Sequence, residues 1–494
     1  MEPYPRKRLK RQENYTPQEQ KIDFVAQSFS KELVLKVFSF LSLQDLMQCA
    51  VVSLHWSRMA NDEMVFNKTE ETLWKPLFIK RFRDPLYRED TKSQFHYRRR
   101  TSVSRYNGSW KKKYRVHHNW LLGKCLIKDV VAYSTANISL SPNHLQFTHD
   151  FIFTAQEGVP LINVWKYEKD ASSPLLINQL QSIEQPDNIQ ITILKLVDDN
   201  NNNNTKHLIA GYSNGGFTLW QILATEITEV ANYISSSIIQ FDNVITIGME
   251  FPMILLYTEN GKLNVFRINA STNSLKLVHQ LQSPMNWFPV EIDIHKYPTN
   301  KKDLWRAVIC FGLSGGSYTT TEITLSSDTI ISSRHGFALN AEPMIQSGII
   351  SSSFSTSCSN NSSEKITAMT YSPPHLITAH ANNTMKHYLV TATSNSLEIT
   401  FKQTLYGHTF RVDALAIEAS KRRLVSGDRS GMKIWDLTKQ SGECQVTIEN
   451  YINQSDMNDL PDSKINTLGF DEDKIVAIMS LSGGSLVRSW SFDS

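Results

Sequence analysis

The sequence predicts a multidomain protein: an all-α region of short helices, then an all-β propeller of seven blades. Three observations carry that prediction. Apolar residues recur at helical spacing from about Ser28 to Trp120. Beyond that point, short β-branched and aromatic runs alternate with Gly, Ser and Asn turns. One strand–turn–strand phrase then returns seven times before the C-terminus. At 494 residues, the chain is long enough for at least two folding units.

Residues 1–27 are polar and cluster Arg6, Lys7, Arg8, Lys10 and Arg11. A nuclear address, a nucleic-acid patch or a solvated tail would each use such charge. No aromatic residues interleave as a stacking platform would require, so nucleic acid is not an expected partner. Helix starts at Ser28 or Ser30, either of which can cap a first turn. Leu33, Val37, Phe38 and Leu41 form an apolar stripe, Leu43–Leu46 restarts a second helix, and Val51–Trp56 leads into a third. Three short helices bury their apolar faces poorly alone, so they need a partner. Residues 69–120 stay helical, with Trp74, Phe78 and Phe82 on one face, expected to pack against neighbouring helices. Arg98–Arg100 and Lys111–Lys113 read as solvated basic faces.

The repeated phrase is an apolar strand, a short turn, and a strand closing on a large residue. Its closing residues are Trp165, Trp220, Phe266, Ile323, Tyr388, Trp435 and Trp490, separated by 55, 46, 57, 65, 47 and 55 positions. A blade has a face that only a neighbouring blade can cover, so the ring must close. Loop insertions explain the uneven spacing: Asn200–Asn204 is an asparagine tract and residues 347–364 are nearly all small and polar, both expected as disordered excursions.

Composition narrows the function. The net charge of +3 divides into +11 over residues 1–120 and −8 over the remainder, so the two parts face different surroundings. The five cysteines have no paired spacing, and the fourteen histidines, including His117 and His118, have no ligand spacing. A disulfide framework, a metal site and a cofactor are therefore not expected. No apolar run reaches the roughly 18 residues of a membrane span, and the basic N-terminus lacks a signal peptide's apolar core. The expected setting is the cytoplasm, the nucleus or both. Gly312-Leu-Ser-Gly-Gly316 matches a nucleophile elbow, but that motif needs a helix after it, and a strand follows. A near-copy at Leu481–Ser485 reads as the same hairpin turn.

Residues 29–59 resemble an F-box. Glu32-Leu33, Val37–Leu41, Asp45-Leu46, Cys49-Ala50, Val52 and Trp56 follow its pattern without insertion, with Phe29-Ser30 where the motif usually opens Leu-Pro. Ser109–Tyr114 and Asn119–Gly123 are similar to the linker of F-box/WD-repeat proteins. The sixth repeat looks like a WD unit, with Gly407-His408, Ser426-Gly427 and Trp435-Asp436. The resemblance implies four regions: a basic tail at 1–27, an F-box at 28–68, a helical linker at 69–120 and a WD-like propeller at 121–494. It also implies a hydrogen-bond tetrad using His408, Ser426 and Trp435, with Ser430 standing where the family places a turn aspartate.

The function implied is that of a non-catalytic substrate receptor in an SCF-type (Skp–cullin–F-box) ubiquitin ligase. The F-box would bind a Skp-type adaptor and, through it, the cullin and RING subunits, while the propeller holds a target protein. No membrane partner is implied. Leu33, Val37, Phe38, Leu41, Leu46 and Val52 are the expected adaptor face, with packing of the helical core as their alternative use and the expected use of Trp56. Arg429 matches a phosphate-reading position of related propellers, while Asp413 stands where those readers often carry arginine. The rival functions are a scaffold outside a working ligase and a propeller hydrolase using Ser314.

Overall fold

A computed structural model describes residues 28–61, 73–82, 109–134 and, short stretches and the segments 339–364 and 450–462 apart, residues 142–493. The basic cluster at 6–11, Arg98–Arg100, the asparagine tract and the segment 347–364 lie outside the described residues. The chain divides into two compact units: Met1–Lys92 with Gly108–Tyr114, and Ser93–Asn107 with Arg115–Ser494. The division falls within the helix Trp110–Leu122, not after Trp120 as the sequence suggested.

The larger unit is a propeller of seven four-stranded antiparallel sheets. Six sheets take four consecutive strands each, from residues 142–180, 191–233, 244–282, 290–338, 366–405 and 414–449. The seventh takes three strands from residues 464–491 and borrows Leu126–Ser134 as its outermost strand. The seven phrases legible in the sequence are the second and third strands of each blade. They stand out because both faces are covered: the strand Met253–Thr258 is buried at every position. The first strands touch one another in cyclic order, the seventh meeting the first.

Each apolar cluster of this unit lies between two adjoining blades. Phe153, Val164, Leu208, Tyr212 and Trp220 fill the space between the first and second. Val130, Leu145, Ile152, Val476 and Ile478 fill the space between the seventh and first. Burial at about 25 cal/mol per Å² of apolar surface therefore stabilises a blade only while its neighbour is present. The borrowed strand pairs antiparallel with Gly484–Ser491, in register Leu126↔Ser491 through Ser134↔Gly484. Arg488 clamps it by donating Nε–H and Nη2–H to the two carboxylate oxygens of Asp129, at 2.5 and 3.1 Å.

Closure from the N-terminal side sets a sharp length requirement. A chain beginning at Ser109 should keep a single cooperative thermal transition by circular dichroism. One beginning at Thr135 should lose that transition or melt at least about 10 °C lower, having given up a whole strand and Val130.

Candidate functional site

Three short helices build the N-terminal surface: α1 (Lys31–Phe38), α2 (Leu43–Cys49) and α3 (Leu54–Ala60). Ser42 and Ser53 accept hydrogen bonds from the N–H groups of Asp45 and Trp56, both at 3.2 Å, and so cap α2 and α3. Ser30 occupies the N-cap of α1 in an extended conformation, but its side chain makes no capping hydrogen bond. It therefore replaces the motif's proline only in position, not as a side-chain cap.

On α1, Val34 and Phe38 point into the core, where Phe38 lies 5.5 Å from the ring of Trp56. Leu46 of α2 is 1% exposed and joins the same cluster. Two residues expected on the adaptor face, Phe38 and Leu46, are thus core residues, packed in one cluster with Val34, Met59 and Trp74. Leu41 is half-buried against that core. Leu33, Val37 and Val52 remain exposed, at 51%, 52% and 62%. Phe40, Met47, Val51 and Leu54 are exposed too and were not expected there, although all four lie within the F-box-like span 29–59. Seven large apolar side chains thus stand exposed between Leu33 and Leu54.

Two more helices, α4 (Trp74–Phe82) and α5 (Trp110–Leu122), complete the aromatic packing. Trp74 donates its Nε1–H to the Ala60 carbonyl at 2.8 Å, and Phe78 and Phe82 lie 5.5 and 5.0 Å from Trp110 and Tyr114. Lys111 and Lys113 are not a solvated face: they are half-buried over the rings of Trp74 and Trp110, at 5.6 and 4.8 Å. In the propeller unit, Trp120 stacks on Phe492 at 3.8 Å, below Arg423.

In the sixth blade, His408, Ser426 and Trp435 form one buried chain. Trp435 donates its Nε1–H to Ser426 Oγ at 2.7 Å, and that hydroxyl lies 2.6 Å from His408 Nε2. The fourth member is Asp428, whose Oδ2 is 2.7 Å from His408 Nδ1. This corrects the assignment of Ser430, which instead donates its hydroxyl and its N–H to Asp428 Oδ1 at 2.6 and 2.7 Å. One carboxylate serves both the histidine and the turn, which is why so short a turn suffices. Burial alone would raise the Asp428 carboxyl, but the hydrogen bonds from His408 and Ser430 outweigh it and hold it below its usual value.

The same tryptophan position recurs elsewhere. Trp165 donates to Thr154 Oγ1 at 3.0 Å, where Thr154 takes the register place of Ser426. In the seventh blade that place is Ala477, and the buried Trp490 Nε1 has no hydrogen-bond partner among the described residues. Arg429 is exposed in the turn beside Asp428. Asp413 pairs with Arg411 at 2.8 Å and with Lys464 at 3.3 Å. The elbow-like motif bridges two antiparallel strands, Gly312 pairing with Tyr318, and Ser314 lies outside the described residues. Among the described residues, no group of three or more His, Cys, Asp or Glu side chains is placed to hold a metal ion.

Two family matches follow the same division. Residues 31–69 match the F-box-like family, and residues 129–459 match the family described as the F-box protein pof12 beta-propeller. No curated protein matches the chain significantly.

The buried chain gives two stability tests by chemical denaturation. Asp428→Asn should cost roughly 3 kcal/mol at pH 7. The difference should shrink as the pH falls below the unfolded value of about 3.9, since a depressed carboxyl stabilises the fold only while ionised. Ala477→Ser should gain about 1 kcal/mol by giving Trp490 an acceptor.

Proposed function

The chain belongs to the F-box protein pof12 beta-propeller family, and on that premise we propose that it is the target-holding subunit of an SCF-type ubiquitin ligase. An F-box joined to a propeller is the arrangement of a substrate-receptor type of protein, and an F-box implies a Skp-type adaptor as partner. The observation that carries the reading is the split use of α1. Val34 and Phe38 hold the helices together, while Leu33 and Val37, one residue earlier in each case, are left in water.

The exposed set Leu33, Val37, Phe40, Met47, Val51, Val52 and Leu54 is the surface offered to the adaptor. Each large apolar side chain covered on docking would contribute about 1.5–3 kcal/mol before the costs of association. The propeller would hold the target, with Arg429 one candidate contact. Transfer of ubiquitin would take place on other subunits, and this chain would contribute proximity: tethering the target raises its effective concentration at the acceptor lysine.

Co-expression with a Skp-type adaptor tests the reading. The wild-type chain should recover the adaptor and, through it, a cullin. Leu33→Asp with Val37→Asp should lower that recovery at least about tenfold without changing the thermal transition. Phe38→Ala should instead destabilise the helical unit by about 3–5 kcal/mol. Failure of the wild type to recover the adaptor would sink the proposal, and adaptor without cullin would favour a scaffold.

A further inference from the structure

We propose that two copies of this chain pair through the outer strand of the first blade, Leu175–Leu180. The inference goes beyond the receptor reading and stands without it. In its sheet this strand is hydrogen-bonded on one side alone, to Ile162–Lys166. Its other edge therefore carries a row of main-chain N–H and C=O groups that only another extended segment can pair in sequence. Its first five residues are all exposed, with Leu175, Leu176 and Ile177 at 64%, 42% and 44%. Consecutive strand residues point to opposite faces, so Leu175 and Leu176 stand in water on both sides of the sheet.

Charge selects the occupant. Each of the other six outer strands carries a charged side chain: Lys128, Glu229, Lys276, Arg334, Glu398 and Glu449 are one from each. Charge on an edge is a common guard against unwanted pairing. Leu175-Leu-Ile-Asn-Gln-Leu180 has none, so antiparallel pairing of the strand with its own copy sets no like charges opposite in any register. Identical strands that meet antiparallel are related by a two-fold axis, which closes the assembly at two copies. A segment bearing Lys or Glu would instead lose water from its charge with no counter-charge on this strand.

One end of the strand is already tied down. Gln179 donates its side-chain amide to Asn163 Oδ1 at 2.9 Å and its N–H to Asn178 Oδ1 at 2.8 Å. Asn178 thus takes one main-chain donor of the strand, and pairing centres on Leu175–Ile177, beside a shallow open hollow lined by Leu176, Ile177, Asn178 and Gln179. So short an edge buries less than the roughly 1,200 Å² of a stable complex, and the pair forms only at micromolar concentration and above.

Sedimentation velocity and hydrogen exchange on the full-length chain, between about 1 and about 100 μM, test this. The wild type should move towards twice the monomer mass as concentration rises. Over the same range the amides of Leu175–Ile177 should come to exchange at least about tenfold more slowly. Leu175→Lys/Ile177→Lys should stay monomeric throughout, with the thermal transition kept. A variant that dimerises as readily as the wild type overturns the inference, as does a wild-type dimer without added protection in this strand. A wild-type chain that stays monomeric overturns it too, and protection that appears only when adaptor is added would assign the edge to a foreign segment. Recovery of adaptor and cullin judges the receptor reading separately.

Discussion

Everything in the larger unit depends on blades burying their faces against one another around a closed circle. No blade has a core of its own: each apolar cluster draws side chains from two adjoining sheets. The last gap is closed by a strand that comes from before the first blade, so the ladder between Leu126–Ser134 and Gly484–Ser491 holds together both ends of the ring. Val130 on that strand reaches the cluster shared with Leu145 and Ile152 of the first blade. The residues just ahead of it are constrained in the same way. Trp120 donates its indole N–H to the Glu472 carbonyl at 2.8 Å, and Asn119 donates its side-chain amide to that of Phe492 at 2.9 Å.

The helical unit solves a different problem. It is too small to cover all of its apolar residues. Its structure divides them into a set that holds the helices together and a set that does not. Aromatic rings run through the first set, from Phe38 on Trp56 to Trp74 on Tyr114. Aliphatic residues dominate the second, where they are free to be covered by another chain. Lysines over the rings of Trp74 and Trp110 shield the aromatic layer from water while their stems add to the packing.

The polar interior of the propeller explains the weakness of its sequence signal. A full chain of Trp, Ser, His and Asp survives in the sixth blade, a Trp–Thr pair in the first, and an unpartnered tryptophan in the seventh. Other blades use different buried polar contacts. In the fourth, Arg306 and Arg334 both pair with Glu322, and in the fifth His375 and His387 lie 2.9 Å apart. Burial and the neighbouring His375 push His387 down to about 3, so it is neutral at ordinary pH. The buried polar contacts differ from blade to blade, so the shared feature is spacing and not a motif.

The sequence by itself determined the two architectures, the order of the units and the seven blades. Apolar periodicity is a local property, and the second and third strands of each blade are apolar throughout because they are covered on both sides. It also determined which short segment looks like an F-box, and that the sixth repeat would carry a histidine–serine–tryptophan chain. Only the tertiary structure decided which of two neighbouring stripes on α1 goes inside. Leu33 with Val37 and Val34 with Phe38 lie roughly 100° apart on one helix, and both are apolar, so periodicity alone cannot rank them. The sequence placed Ser430 in the turn beside His408, and only the fold of the turn put Asp428, two residues earlier, there instead. The closing strand was likewise decided by the fold, because pairing between residues 350 or more positions apart leaves no trace in local spacing.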